Sequence, residues 1–145
     1  YGVYADQSGA IITLGTNEAT PSVSTTNPSI TSKGNENAFG VYAVSGATIN
    51  FYDGIIVAPE NCAIYGTVGA VPTGYGIQKT NADGKETAIL VPANYEELNS
   101  HGAHVNYYAT LADATEKSAN DHTIKVLKGI TEIFNSGSFE VLTDL

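Results

Sequence analysis

The chain of 145 residues contains no arginine, methionine or tryptophan, and Cys62 is its only cysteine. A single cysteine cannot form an internal disulfide, which excludes a disulfide-stapled scaffold. We expect Cys62 to be a buried small hydrophobic residue, with a reactive thiol or a thioester as the alternatives. The chain also lacks an apolar run of about 18 residues and a visible signal peptide, so no membrane-spanning segment is predicted.

Basic residues are scarce as well. Six lysines face 15 acidic residues, which gives a formal net charge of -9. Nucleic acid is therefore excluded as an expected partner, because no basic patch is available to neutralise phosphates. The acidic balance also disfavours anionic membrane surfaces, and direct membrane insertion is not expected. Nothing in the composition indicates a cofactor.

What the chain does have is a motif written twice. Residues 1–5 read Tyr-Gly-Val-Tyr-Ala and residues 39–43 read Phe-Gly-Val-Tyr-Ala, and a Ser-Gly-Ala turn follows each copy at 8–10 and 45–47. The offset is 38 residues before the turn and 37 after it. Because Tyr1 corresponds to Phe39 in mid-motif, we expect the chain to be a piece of a longer precursor that begins within a coil. Such repetition is typical of solenoid proteins.

The alignment extends beyond the motif. It pairs Ile12 with Ile49 and Leu14 with Phe51, which are alternate, same-facing positions of a strand. A weaker third copy is predicted at 62–68. Residues 21–32 also alternate as a short strand does, so each 38-residue unit is interpreted as two coils of about 19 residues.

The second half contains different signals. Strands at 75–80 and 86–91 flank Asn-Ala-Asp-Gly at 81–84, which predicts a hairpin turn rather than part of a calcium loop. Residues 93–106 are predicted to be an irregular acidic connection, in which His101 and His104 are solvated and hold no metal.

A helix is predicted to begin at Thr110, whose hydroxyl can cap the amide of Asp113 while Asp113 reaches back. It should end near residues 120–121. Strands are then predicted at 123–128, 130–134 and 139–142.

The block from Tyr107 to Ala114, followed by Asp121 to Thr131, resembles a helix-plus-strand segment of bacterial cell-surface proteins with pectin-lyase-like domains. The upstream repeats are similar to coils of the same proteins. The resemblance implies an all-β fold, a right-handed parallel β-helix with one short helix near the C-terminus, and an extracellular location at a bacterial cell surface. A β-sandwich is the alternative fold.

The predicted organisation has three parts. Residues 1–92 form β-solenoid coils plus a hairpin, and residues 93–106 form a connecting loop. Residues 107–145 form a helix-containing cap or the start of a second domain, because a solenoid end needs a covering element.

Three functions compete. Proteins of the resembled class include polysaccharide lyases and glycoside hydrolases, but Asp6 aligns with Val44 and Asp53 with Thr16, so no acids repeat from coil to coil and no catalytic residue is predicted. Glycan binding is the second hypothesis, with Tyr4 and Tyr42 facing outward to stack on sugars, although such tyrosines also shield neighbouring coils. The favoured function is a non-catalytic structural and adhesive segment, with host or dietary glycans or surface proteins as partners. The oligomeric state is left open.

Overall fold

The computed structural model describes residues 1–128 and 140–143. Strands dominate these residues and the one helix among them is short, so the all-β class is confirmed. The helix α1 spans Leu111–Lys117. The predicted strand at 130–134 lies outside the described residues. The strands are β1 (Val3–Asp6), β2 (Ile11–Leu14), β3 (Ser29–Thr31), β4 (Val41–Val44), β5 (Thr48–Phe51), β6 (Ile55–Pro59), β7 (Ile64–Tyr65), β8 (Thr67–Ala70), β9 (Tyr75–Ala82), β10 (Lys85–Pro92), β11 (Tyr95–Leu98), β12 (His104–Tyr108), β13 (Thr123–Val126) and β14 (Glu140–Thr143).

The strands form four sheets of mixed character. The first sheet has the order β1-β4-β7 and the second β2-β5-β8, and both are parallel throughout. The third sheet, β3-β6-β10-β9, begins with the parallel pair β3–β6 and continues with β10 antiparallel to β6. The fourth, β12-β11-β13-β14, is also mixed. A β-sandwich is built from two antiparallel sheets. The first and second sheets are parallel, so they do not match this alternative fold.

The strand register confirms the repeat alignment. The first sheet pairs β1 with β4 at the predicted offset of 38 residues, and the second pairs β2 with β5 at the predicted offset of 37. The third, weaker copy is confirmed too, because β7 and β8 continue the same two sheets. Register pairs that carry the alignment are Val3 with Val41, Ile12 with Ile49, Leu14 with Phe51, and Val41 with Ile64.

The prediction of two 19-residue coils in each repeat is wrong. The 38-residue unit contributes one strand to each of the first, second and third sheets, because β3 pairs with β6 of the next unit and not with β1 or β2. The first unit is long because residues 15–28 separate β2 from β3, whereas only residues 52–54 separate β5 from β6. The alternation at 21–32 suggested a complete coil, but only Ser29–Thr31 of it is a strand.

The core of the first, second and third sheets, here called the stacked sheets, is formed by every second side chain along their strands. In β4, β5 and β6 every second residue is buried, as the two-residue period of a strand requires. Gly66, between β7 and β8, lies so close to β4 that an added Cβ would be 2.2 Å from the carbonyl oxygen of Ala43. The buried hydrophobic residues include Val41, Ala43, Ile49, Phe51, Ile56 and Ala58.

The predicted hairpin is confirmed. Strands β9 and β10 are neighbours in the third sheet, and Asp83 and Gly84 between them both have positive φ angles, 52° and 71°. Two successive residues of positive φ are the signature of a type I′ turn. Asn81 is engaged in a pair with Asn61, donating through Nδ2 to its Oδ1 at 3.1 Å.

The chain divides into two compact units. One comprises Tyr1–Thr73 with Lys79–Leu90, and the other Gly74–Gln78 with Val91–Leu145. The prediction of an irregular connection at 93–106 is wrong, because β11 and β12 lie there as an antiparallel hairpin. The buried positions of this hairpin are Tyr95 and Glu97 in β11 and Asn106 and Tyr108 in β12. Because one of the two buried residues in each strand is polar, the sequence lacks the hydrophobic alternation that predicts a strand.

The helix begins where predicted. Thr110 is the N-cap, and its hydroxyl accepts a hydrogen bond from the Asp113 amide at 3.2 Å. The Asp113 carboxylate lies 3.4 Å from the Lys117 ammonium one turn later. The helix ends at Lys117, about one turn before the predicted end. Leu111 and Ala114 are its buried residues. The assignment of 107–145 to a cap or a second domain stays a prediction.

Candidate functional site

An aromatic ladder occupies the outer face of the first sheet. We use this name for five rings, Tyr1, Tyr4, Phe39, Tyr42 and Tyr65. Tyr42 is the register partner of Tyr4 in β1 and of Tyr65 in β7, which brings the three rings together. The ring centroids of Tyr4 and Tyr42 are 5.8 Å apart, and those of Tyr42 and Tyr65 are 4.7 Å apart.

Strand alternation directs these tyrosines outward. Val41 and Ala43 are buried on either side of Tyr42, so Tyr42 faces away from the core, as predicted. Tyr1, Tyr4 and Tyr65 are 63%, 51% and 48% exposed, whereas Tyr42 is only partly exposed. The structure thus confirms that Tyr4 and Tyr42 share one outer face.

Stacking between the rings decides what this face can contact. Tyr42 lies between Tyr4 and Tyr65, with interplanar angles of 19° and 13°, so both faces of its ring are covered by neighbouring rings. A sugar that stacks on an aromatic residue needs an open ring face. Tyr1, Tyr4 and Tyr65 are more exposed than Tyr42 and are the rings of the ladder that a sugar can reach most easily. The arrangement of Tyr42 favours the shielding of neighbouring strands.

Sequence reasoning identified two rings of the ladder and missed three. The signals were present, since Tyr1 corresponds to Phe39 in the repeat and Tyr65 lies in the third copy. The centroids of Phe39 and Tyr65 are 5.2 Å apart, and those of Tyr1 and Tyr42 are 4.5 Å apart.

One carboxylate adjoins the ladder. The hydroxyl of Tyr4 donates to Asp6 Oδ2 at 2.6 Å, and the hydroxyl of Ser45 donates to Asp6 Oδ1. These hydrogen bonds lower the pKa of Asp6, and the bond to Asp6 raises the pKa of Tyr4 from 10.0 to about 12. Asp6 is thus held as a charged acceptor, with no second acid opposite it because its register partner is Val44.

We expect Asp6→Asn to lower the pKa of Tyr4 from about 12 towards 10, because the charged acceptor that retains the phenol proton is lost. The raised pKa of folded Tyr4 means that this contact favours folding below about pH 10 and ceases to do so as the pH rises through about 12. Difference titration of tyrosinate absorbance between the two proteins measures the shift, with Asp121→Asn as a charge-matched control. Superimposable titrations of the wild type and Asp6→Asn would contradict the expectation.

The remaining acid considered for catalysis has a structural contact. Asp53 Oδ1 accepts a hydrogen bond from the Ser24 amide at 2.6 Å, which ties the segment between β2 and β3 to the end of β5. Among the described residues, no three His, Cys, Asp or Glu side chains cluster as a metal site would require.

A buried polar cluster in the unit that contains α1 was not predicted. Glu97 is 3% exposed, and its Oε2 accepts a hydrogen bond from the Tyr108 hydroxyl at 2.7 Å. Its Oε1 lies 2.6 Å from His122 Nδ1 and accepts from the Ala119 amide at 3.3 Å. Burial, together with the bond to Glu97, raises the pKa of Tyr108. Each carboxylate oxygen is satisfied by fixed partners, which is the arrangement of a structural network.

His101 and His104 were predicted to be solvated in an irregular connection. His104 instead contacts a carboxylate, because its Nδ1 lies 2.9 Å from Glu96 Oε1 across the β11–β12 pair. The irregular structure assigned to 93–106 concealed this cross-strand contact. His101 is exposed, and its Nδ1 lies 3.4 Å from the Ser100 hydroxyl.

Cys62 is buried, as predicted. Its thiol donates to the Glu36 carbonyl oxygen at 3.0 Å. Burial raises the pKa of the thiol, with nearby carboxylates adding to the effect, which disfavours the reactive thiolate.

No family model, curated protein or solved structure matches the chain. Within the described residues, no helix has the length and apolar character needed to cross a membrane.

Proposed function

We propose that the chain is a non-catalytic structural and adhesive segment of a secreted or surface-anchored bacterial protein, built as a right-handed parallel β-helix over its repeats. The observation that supports it is the in-register parallel pairing of successive repeats in three sheets. Stacked units of this kind form an extendable frame whose outer faces can display side chains. The aromatic ladder is the display surface of this frame.

The distribution of acids supports a non-catalytic role. Glycoside hydrolases need two carboxylates facing each other across the sugar. Asp6 pairs in register with Val44, Asp53 holds a backbone amide, and Glu97 is buried in its own network. A polysaccharide lyase or glycoside hydrolase is the less favoured alternative, and the hydrolase has no such pair to support it among these residues.

The experiment applies the purified chain to immobilised mucin, pectin, alginate and glycosaminoglycans. We expect retention on at least one surface, without release of reducing or unsaturated sugars. Sugar release would overturn the non-catalytic role, and lack of retention on every surface would overturn the adhesive role.

A glycan-binding module is the second candidate, supported by the exposure of the outer rings of the ladder. In the same assay it requires Tyr4→Ala to weaken retention about fivefold or more, because stacking on one sugar ring contributes about 1 kcal/mol or more. Tyr42→Phe preserves the ladder and removes only a hydroxyl, so it serves as the matched control. If the wild type and Tyr4→Ala are retained equally, the ladder does not bind the glycan. Adhesion then depends on another surface of the chain.

A further inference from the structure

A small pocket lies at one end of the third sheet. Its volume is about 260 Å³, below the usual range of about 300–1,000 Å³ for drug-sized ligands. A small occupant therefore fits it best. It is lined by Lys33, Gly34, Pro59, Gly84 and Lys85.

Strand register brings two lysines to this pocket from opposite sides. Lys85 is the register partner of Pro59 in the antiparallel pair β10–β6. On the other side of β6, Thr31 is the partner of Val57, so Lys33 follows β3 at the level of Pro59. With neighbouring strands about 4.8 Å apart, the two lysine backbones lie about 10 Å apart, a gap that flexible lysine side chains can close around a ligand.

Two of the residues that line the pocket are glycines and carry no side chain. Gly84 has a φ of 71°, and a Cβ added there would meet nothing within 4 Å. Gly34 has a φ of 149° and lies next to Lys33. Neither glycine has a side chain that would cover its backbone in the lining of the pocket.

The charge of the pocket contrasts with that of the chain. Two of the six lysines line this pocket, although the net charge of the chain is -9. Within the described part of the chain, neither Lys33 nor Lys85 belongs to a salt bridge. The buried carboxylate of Glu86, next to Lys85, accepts from the Ala63 amide at 2.7 Å, and Glu60 and Asp83 are the other acids adjacent to the lining residues.

We propose that this pocket is a binding site for a small oxyanion, namely a carboxylate, sulfate or phosphate group, free or carried on an acidic sugar. Lys33 and Lys85 supply charge-assisted hydrogen bonds from two sides, and the glycines let the anion approach the backbone. The site is independent of the aromatic ladder, and it gives an acidic chain a local means of holding an acidic ligand.

The test follows the backbone amides of Gly34 and Gly84 by NMR while sulfate, phosphate, glucuronate or acetate is added at constant ionic strength. We expect saturable shifts with at least one of the four anions. The double variant Lys33→Gln/Lys85→Gln should weaken the affinity by at least about tenfold, since two charge-assisted bonds are lost. Lys117→Gln/Lys128→Gln removes the same charge elsewhere and should leave the affinity unchanged.

Either source of the anion supports the site, and the probes distinguish them. Tighter binding of glucuronate than of acetate identifies an acidic sugar, whereas no preference for glucuronate over acetate identifies a free anion. Absence of saturation with all four anions would overturn the proposal. Equal weakening in both double variants would also overturn it, because the effect would then come from overall charge.

Discussion

Glu97→Ala should lower the free energy of unfolding of the unit that contains α1 by about 3 kcal/mol. The substitution removes the carboxylate that accepts from the Tyr108 hydroxyl and the Ala119 amide and that contacts His122. Two donors and an imidazole then lose their partner in a site where Glu97 is 3% exposed. Denaturant unfolding followed by tyrosine fluorescence measures the loss, since the chain has no tryptophan.

Two further variants isolate the cause. Glu97→Gln keeps an acceptor oxygen and should lose less stability than Glu97→Ala. Glu116→Ala removes the same side chain from the exposed face of α1 and should change stability by no more than about 0.5 kcal/mol. A loss below about 1 kcal/mol for Glu97→Ala would show that the network contributes little.

Gly66→Ala should destabilise the stacked sheets by about 3 kcal/mol, because two costs combine. Its φ of 120° lies in a region that side chains disfavour. The added Cβ would also be 2.2 Å from the Ala43 carbonyl oxygen, which is backbone of the neighbouring strand and cannot turn aside. Thermal and denaturant unfolding followed by far-ultraviolet circular dichroism test this expectation.

Gly9→Ala is the matched control. Gly9 also has a positive φ, 81°, but an added Cβ meets nothing within 4 Å. This variant therefore carries only the backbone cost, about 1 kcal/mol. Equal losses in the two variants would show that the close approach of Gly66 to β4 carries no energy of its own.

The repeats made the first two sheets predictable. Paired residues such as Ile12 and Ile49 recur in sequence because equivalent positions stack in register and bury the same face. The β9–β10 hairpin and the start of α1 were predictable for a local reason, since Asp83-Gly84 and Thr110 fix the backbone by their own chemistry.

Other features depended on contacts between distant residues. Glu97 interrupts the hydrophobic alternation of β11, and the reason is visible only where Tyr108 and His122 reach it. The ring stacking around Tyr42 follows from register, but the coverage of both its faces required the positions of three strands. The lysine pair depended on β10 joining the third sheet from the opposite side to β3.

The unequal spacing of β2–β3 and β5–β6 has a consequence for how such a chain can change. Residues 15–28 join one pair and residues 52–54 the other, yet both pairs feed the same two sheets in register. Loop length and strand pairing are thus adjustable separately. Segments that join the second sheet to the third can therefore be lengthened, exchanged or grafted, in evolution or by engineering, while the hydrogen bonds between the strands are kept.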